Sequence, residues 1–360
     1  MSGSLADRRL LIVGNPEEIH VGAHLLEGAA ALGVPARLAD VREAYRGPSL
    51  VRRFNWWLRG RRPTRLRAFS RSVTALCADW SPTWLVATGI APLDREALKQ
   101  IKALGVRCLN YLTDDPWNPA HYAPWFLAAL PHYDQLFSTR RANLDDLSLL
   151  SRRTVSFLPF ARAPRLHFPE PSLNGRPLTL PSPPGDGGEG RVRGTTEPAA
   201  DLFFAGGADP DRVPYLAACI RAGFRVRLHG GYWDRYPETR GCADGHLTGD
   251  EIRRAMGKSR VALCLVRRAN RDGHVMRSFE IPAIGACMLT EDTAEHREIF
   301  GADGENVVYF RTIAEMVDRL RWLLAHDAER ARLADAAHRL IVNGKHTYRD
   351  RLETMLARAS

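Results

Sequence analysis

The stretch from residue 261 to 290 reads VALCLVRRANRDGHVMRSFEIPAIGACMLT. Two short apolar runs, VALCLV and CMLT, enclose a polar loop and a segment with helical periodicity that ends at Gly285. A strand, a helix and a second strand in this order are typical of a βαβ unit, whose strands lie parallel in one sheet. The stretch therefore predicts an α/β fold with a parallel sheet.

The same alternation extends along the chain in both directions. Strands are predicted at residues 10–13, 36–39, 84–88, 106–111, 135–138 and 155–158, and again at 202–205, 225–229, 261–266, 287–290 and 307–310. Helical patterns lie between strands near residues 21–32, 49–58, 64–78, 93–103, 121–130 and 142–150, and in the second region near 211–221, 249–257, 275–285, 312–325, 328–342 and 346–358. We therefore expect two doubly wound, Rossmann-like lobes, with a ligand in the interdomain cleft beyond the carboxyl ends of the strands.

A segment rich in proline and glycine separates the two alternating regions. Residues 169–198 hold seven prolines and six glycines, a composition that buries too little apolar surface to offset its ordering entropy. We expect an N-terminal lobe over 1–168, a disordered linker or insertion over 169–200 and a C-terminal lobe over 201–345. Residues 346–360 are predicted to form a last helix that packs back on the N-terminal lobe.

Composition excludes several classes of protein. Apolar residues make up 45% and charged residues 26% of the chain, which excludes disorder throughout, and no apolar run approaches the roughly 18 residues of a membrane span. The opening MSGSLADRRLLIVG favours a first strand over a signal peptide. Six cysteines with 21 or more residues between neighbours, and scattered histidines, predict free thiols in the cytoplasm and no metal site.

The positive charge is concentrated in one place. The net charge is +10, and the stretch Arg46–Arg71 holds nine arginines and no acidic residue, so the rest of the chain is nearly balanced. Such a local patch speaks against a general nucleic-acid binder, and no nucleic-acid partner is expected. The arginines surround Trp56 and Trp57, a combination suited to an anionic membrane at the inner face. A solvated surface is the other interpretation.

The polar loop after VALCLV is a candidate anion site. Arg267 and Arg268 follow the predicted strand, and Arg277 and Glu280 lie on the helix beyond it. A helix N-terminus and arginine side chains bind phosphate, and a carboxylate accepts hydrogen bonds from ribose hydroxyls. Two simpler interpretations stay open: Asp272 is the helix N-cap, and Arg277–Glu280 is a surface pair.

Three further residues belong to this candidate donor site. Gly206 and Gly207 follow the apolar run DLFFA, where backbone approaches a phosphate or sugar closely, or where a tight turn requires a positive φ. His274 ends the polar loop and is predicted to contact the same ligand.

Two carboxylates mark the N-terminal half. Asp114 and Asp115 follow the predicted strand VRCLNYLT, at its carboxyl end. They are placed to orient or deprotonate an acceptor hydroxyl. The alternative is a Thr-Asp-Asp-Pro turn, in which an aspartate side chain bonds the backbone.

Residues 277–310, RSFEIPAIGACMLTEDTAEHREIFGADGENVVYF, and the helix TIAEMVDRLRWLL after them resemble the CgeB-like (spore-maturation-type) glycosyltransferases. The runs NYLTDDPWNPAHYAPWFLAALPHYDQLFSTRRANLDDL and SFLPFA are similar to the same family. The resemblance implies a bacterial enzyme of the two-lobed GT-B architecture, with the acceptor on the N-terminal lobe and the nucleotide sugar on the C-terminal lobe. It implies transfer of a hexosyl group to a glycan, lipid-linked or protein acceptor of the cell surface or of secondary metabolism. The arginines and helix N–H groups of the candidate donor site are suited to stabilise a departing diphosphate, so neither a metal nor a further cofactor is expected.

In related retaining family-four glycosyltransferases, two glutamates with seven residues between them hold the nucleotide sugar. Glu280 matches the second, whereas the first position is occupied by Asp272, which is one methylene shorter. The resemblance implies a catalytic role for Asp272 and a diphosphate contact for Arg277, whereas the catalytic roles predicted for Asp114 and Asp115 rest on their position after a strand. A non-catalytic GT-B scaffold that binds nucleotide sugar or glycan in surface-layer assembly is the alternative, favoured only by the aspartate at 272. The stereochemical outcome stays open.

Overall fold

The computed structural model describes residues 9–170 and 200–358, and packing divides them into two units. The first unit comprises the residues up to Ala161, the short segment Arg268–Asp272 and the residues from Thr347 onward. The second comprises the described parts of Arg162–Arg267 and Gly273–His346. The predicted linker over 169–200 lies almost entirely outside the described residues, and the predicted domain boundaries stay predictions.

The first unit contains a parallel sheet of six strands. These are β1 (Leu10–Gly14), β2 (Ala36–Asp40), β3 (Trp84–Thr88), β4 (Arg107–Leu112), β5 (Gln135–Ser138) and β6 (Ser156–Phe157), in the order β2-β1-β3-β4-β5-β6. The helices between them are α1 (Val21–Ala31), α2 (Ser49–Leu58), α3 (Leu66–Trp80), α4 (Arg95–Ala103), α5 (Pro124–Leu127) and α6 (Leu144–Ser151).

The second unit contains a parallel sheet of five strands. These are β7 (Ala200–Ala205), β8 (Val226–His229), β9 (Ser259–Cys264), β10 (Met288–Glu291) and β11 (Val308–Phe310), in the order β11-β10-β9-β7-β8. The helices are α7 (Val213–Arg221), α8 (Gly249–Gly257), α9 (Arg277–Ile284), α10 (Ala294–Phe300), α11 (Ile313–Ala325) and α12 (Asp327–Asn343).

Burial on both faces explains why these segments form parallel sheets. Every residue of β1, Leu10–Gly14, is buried, and so are the last five residues of β4. Continuous apolar strands of this kind require helices on both sides, which the alternating chain supplies. The predicted α/β fold of two doubly wound units is confirmed, and every predicted strand is present.

The differences from the predicted helices have local causes. Where a helix was expected over residues 121–130, only α5 forms, because Pro124 starts it and Pro131 supplies no N–H to continue it. The prediction missed α10, a helix of seven residues. Its N-cap is Thr293, whose hydroxyl accepts from the backbone N–H of His296 at 3.0 Å, a signal too short to stand out in the sequence.

The last helix, α13 (Tyr348–Arg358), belongs to the first unit. It lies against α1 so closely that a Cβ on Gly28 would sit 3.0 Å from the backbone nitrogen of Arg349. The buried guanidinium of Arg351 donates to the carbonyls of Pro159, at 2.8 Å, and Phe160, at 2.9 Å. These bonds fix the chain end beside the end of β6.

Two features bear on the surroundings of the chain. No helix among the described residues combines the length and the apolar character needed to cross a bilayer. All six cysteines are free thiols, and all except Cys242 are buried. Burial raises the pKa of Cys77 to about 11, which leaves that thiol protonated and unreactive at neutral pH.

Candidate functional site

In the second unit, the turn after β7 lies against the end of β8. The N–H of Gly206 donates to the carbonyl of His229 at 2.8 Å, and the indole N–H of Trp233 donates to the carbonyl of Gly206 at 2.8 Å. Neither Gly206 nor Gly207 has a positive φ, so the tight-turn interpretation is wrong. Instead the left-handed residue is Gly230, with φ +123°, where a Cβ would lie 2.4 Å from the oxygen of Gly206.

A buried arginine that the sequence interpretation missed braces this turn. The guanidinium of Arg212 donates to the carbonyl of Gly207 at 3.2 Å and to that of Leu265 at 3.5 Å. Asp209 accepts from the backbone N–H of Arg212 at 2.9 Å. Arg212 thus links the chain beyond β7 to the chain beyond β9, and it places a positive charge beside the two glycines.

Helix α9 brings a second arginine to the same strand end. The Nε of Arg277 donates to the carbonyl of Ala205, the last residue of β7, at 3.3 Å. The guanidinium also forms an ion pair with Glu280 one turn further along the helix. The Glu280 side chain is only 2% exposed, so the interpretation as a surface pair is wrong.

Stability alone does not explain why Glu280 is buried. A buried ion pair costs desolvation and is often no more stabilising than an apolar pair of similar volume. Glu280 lies in the first turn of α9, where the helix dipole favours a negative charge. His167 Nε2 lies 3.8 Å from the carboxylate, beyond hydrogen-bond distance. The pair also lies at the carboxyl end of β7, the place where open parallel sheets bind ligands.

A polar network lies behind α9. Ser278 Oγ lies 2.8 Å from His296 Nε2, and His296 Nδ1 lies 2.9 Å from the carbonyl oxygen of Glu291. Because a carbonyl only accepts, Nδ1 carries the proton and Nε2 accepts from the serine. His274 is fully enclosed and bonds Glu295 at 2.5 Å. This placement makes His274 a support of the loop before α9, and its predicted ligand contact stays a prediction.

Acidification is expected to loosen this network. Burial lowers the pKa of His296 to about 4 from 6.5, so between these values the unfolded chain binds a proton that the folded chain does not. The contribution of His296 to the free energy of unfolding is therefore complete above pH 6.5. It decreases by about 3 kcal/mol in total as the pH drops towards 4. The difference in free energy of unfolding between wild type and His296→Gln, measured by urea titration from pH 7 to 4.5, should shrink with acidification. Parallel curves for the two proteins would contradict this account.

In the first unit, the two predicted carboxylates have different surroundings. Asp115 is buried, accepts from Arg271 at 2.5 and 3.1 Å and from the N–H of Trp117 at 3.0 Å. The Asp114 side chain is 35% exposed, with His121 Nε2 at 3.8 Å from its Oδ1. The turn interpretation therefore fits Asp115, and Asp114 is the carboxylate that an acceptor hydroxyl could reach.

Asp272 lies within the first unit as well. Its carboxylate accepts from Nε of Arg140, and Nη2 of that arginine donates to the carbonyl of Thr113 at 2.7 Å. Both side chains of the ion pair are nearly inaccessible, at 1% for Arg140 and 3% for Asp272. The N-cap interpretation of Asp272 is wrong, because α9 begins at Arg277 with Met276 as its cap residue.

The two neighbouring carboxylates should respond differently to amidation. The hydrogen bond with Asp115 raises the pKa of Arg271. Asp115→Asn removes the charge of that partner and should lower the free energy of unfolding by about 2 kcal/mol. Asp114→Asn should stay within about 0.5 kcal/mol of wild type. Urea unfolding at pH 7 measures both. Equal losses would mean that Asp114, like Asp115, is structural.

Two arginines of the predicted donor site remain, Arg267 and Arg268. Arg267 is half-buried, three residues beyond the end of β9, and Arg268 is exposed one residue further. Their predicted phosphate contacts stay predictions. Within residues 9–170 and 200–358, no three His, Cys, Asp or Glu side chains gather where they could hold a metal ion.

Sequence interpretation missed three arginines of these clusters. Arg140 follows β5, Arg212 lies in the loop after β7, and Arg271 lies in the loop after β9. All three follow the carboxyl end of a parallel strand, which is the signal that selected the other site residues.

Comparison with known proteins supports one class. Residues 213–357 match the family model described as glycosyl transferase-like, a match that contains Arg277, Glu280 and the network behind α9. No curated protein sequence matches the chain.

Solved structures share the whole fold at low sequence identity. The chain is similar to sucrose-phosphate synthase from Thermosynechococcus elongatus, with 11% identity and a TM-score of 0.66. It is similar to HepE from Anabaena in complex with UDP, with 11% identity and a TM-score of 0.58, and to a UDP-forming α,α-trehalose-phosphate synthase from Burkholderia xenovorans, with 12% and 0.59. Each alignment covers 98% of this chain and 98% of the other. The fold is that of GT-B glycosyltransferases, and with the family match it supports a glycosyltransferase of the GT-B type.

Proposed function

We propose that the chain transfers a hexosyl group from a nucleoside diphosphate sugar, with UDP as the first nucleotide to test, to a hydroxyl of an acceptor. The observation that carries the proposal is the buried Arg277–Glu280 pair at the end of β7. The UDP complex of a protein of the same fold and the UDP-forming activity named for another support the choice of UDP.

Each end of the pair suits one part of a nucleotide. The carboxylate of Glu280 has acceptor sites for the two ribose hydroxyls, and hydrogen bonds to a charged acceptor are strong. The guanidinium of Arg277, which is 25% exposed, presents donors to the diphosphate beside the backbone of Gly206 and Gly207. This arrangement supports a role in donor binding for both residues.

The chemistry is the displacement of a nucleoside diphosphate. The bond between the anomeric carbon and the phosphate oxygen breaks, its electron pair stays on that oxygen, and the acceptor oxygen forms the new bond. Negative charge therefore grows on the diphosphate, where Arg277 and the N-terminus of α9 stabilise it electrostatically without a metal ion. We include metal independence in the proposal.

The first unit supplies the acceptor chemistry in this proposal. If the configuration is inverted, Asp114 accepts the proton of the acceptor hydroxyl; if it is retained, the departing phosphate accepts it. Asp272 is held by Arg140 and acts by keeping the loop after β9 in place. The resemblance of residues 277–310 to CgeB-like enzymes supports a bacterial, cytoplasmic enzyme with a cell-surface or secondary-metabolite acceptor.

Calorimetric titration with UDP and with uridine separates the two ends of the site. Glu280→Gln removes the charge but keeps the size, and should weaken both ligands about tenfold to a hundredfold. Arg277→Lys keeps a charge opposite Glu280 but loses the planar fork, and should weaken UDP while leaving uridine unchanged. A panel of UDP-sugars, scored for release of UDP, tests turnover by the wild-type protein.

A matched control is available on α11. Asp318 and Arg321 form an exposed ion pair three residues apart at 2.8 Å, so Asp318→Asn and Arg321→Ala should bind UDP as the wild type does. Wild-type affinity in both Glu280→Gln and Arg277→Lys would remove the donor-site assignment. Tight binding of every donor with no release of UDP would instead indicate the non-catalytic scaffold.

A further inference from the structure

Helix α2 turns its apolar side outward. Leu50, Phe54, Trp57 and Leu58 recur at the spacing of one helix face, and their exposed fractions are 77%, 50%, 75% and 72%. The buried residue of the same helix is Asn55, at 5%. A surface helix of a globular protein normally shows the opposite arrangement, with polar residues outward. The helix is therefore built for an apolar surrounding that the first unit itself does not supply.

The flanks of this face are basic. Arg52, Arg53 and Arg59 are exposed, and within the described part of the chain none of the three forms an ion pair with a carboxylate. Arg59 lies over the Phe54 ring at 5.5 Å, and Arg61 lies over the Trp56 ring at 5.2 Å. Long side chains with buried stems and charged ends beside tryptophans are typical of the boundary between headgroups and acyl chains.

We propose that α2 and its flanking arginines form a binding surface for an anionic lipid membrane, with the helix lying in the plane of the interface. Ten residues are too few to span a bilayer, but one apolar face suffices for interfacial binding, and each nearby arginine adds attraction to anionic lipid. The proposal concerns the first unit alone and does not depend on the transfer reaction.

The same features argue against other occupants. A solvated face would not present two leucines and a tryptophan outward. A second copy of the chain in a twofold contact would set the arginines of one α2 against those of the other, where like charges repel. Single-stranded nucleic acid stacks on aromatic rings, but it gains nothing from Leu50 or Leu58.

Co-sedimentation of the full chain with vesicles tests the proposal. Vesicles of phosphatidylcholine alone are compared with vesicles that also contain phosphatidylglycerol, at low and at moderate salt. The wild type should partition onto the anionic vesicles, less at moderate salt because the charges are screened. Arg52→Glu with Arg53→Glu should weaken partitioning by at least about tenfold. Leu58→Ser should weaken it by about fivefold or more, because a leucine side chain is no longer transferred from water into the lipid.

Matched controls exist on other surfaces. Leu149 is 84% exposed on α6, so Leu149→Ser makes the same chemical change as Leu58→Ser away from the proposed surface. Arg221→Glu with Arg358→Glu makes the same change of charge on two other exposed arginines. Both controls should partition as the wild type does. In a second readout, brominated lipid should quench tryptophan fluorescence, and Trp57→Phe should reduce that quenching.

Several results would overturn the proposal. Equal recovery in the supernatant with both kinds of vesicle would exclude membrane binding. If Leu58→Ser and Leu149→Ser reduce partitioning equally, α2 is not the binding surface. The same conclusion follows if the two double arginine variants reduce partitioning equally. Binding of a single-stranded oligonucleotide in place of vesicles, or dimers that Leu58→Ser dissociates, would assign α2 to that partner instead.

Discussion

A single buried charge constrains the second unit more than any other feature. The carboxylate of Glu280 is placed in the first turn of α9, out of contact with water, and is compensated by Arg277, whose Nε also bonds the carbonyl of Ala205. The pair thus fastens α9 to the end of β7. The same unit also contains Arg212, which donates to the carbonyl of Gly207, and the hydrogen bond between Ser278 and His296. A buried pair of this kind gives little net stability, and its place at the carboxyl end of β7 suits the ligand that it is proposed to bind.

Three acidic residues of the first unit, Asp114, Asp115 and Asp272, differ in burial. Asp115 and Asp272 are each held by an arginine, Arg271 and Arg140, and are almost inaccessible. Of the three, Asp114 keeps a side chain that is about one-third exposed. Burial and pairing therefore separate carboxylates that shape the loops from the one that is available for chemistry. In sequence, Asp114 and Asp115 are neighbours and cannot be told apart.

The fold could be predicted because its signal is local: apolar strands and amphipathic helices alternate with the periods of a parallel α/β sheet. Glu280, Arg277 and Asp114 could be placed because they follow strands or open a helix. The partners could not, since Arg140 meets Asp272 from 132 residues away and Arg271 meets Asp115 from 156 residues away. Both arginines follow the carboxyl end of a strand, but the sequence does not show which carboxylate each of them meets. The basic stretch Arg46–Arg71 with its tryptophans already suggested a membrane contact. The outward direction of Leu50 and Leu58 could not be predicted, because the hydrophobic pattern predicts a helix but not the direction of its apolar side.

The most direct test of the account is a crystal structure of the chain with UDP. The account predicts that the diphosphate lies within hydrogen-bond distance of the Arg277 guanidinium and of the backbone at Gly206 and Gly207, and that the ribose hydroxyls bond the Glu280 carboxylate. UDP bound elsewhere, with Glu280 still closed off by Arg277 and making no contact with the ligand, would contradict it.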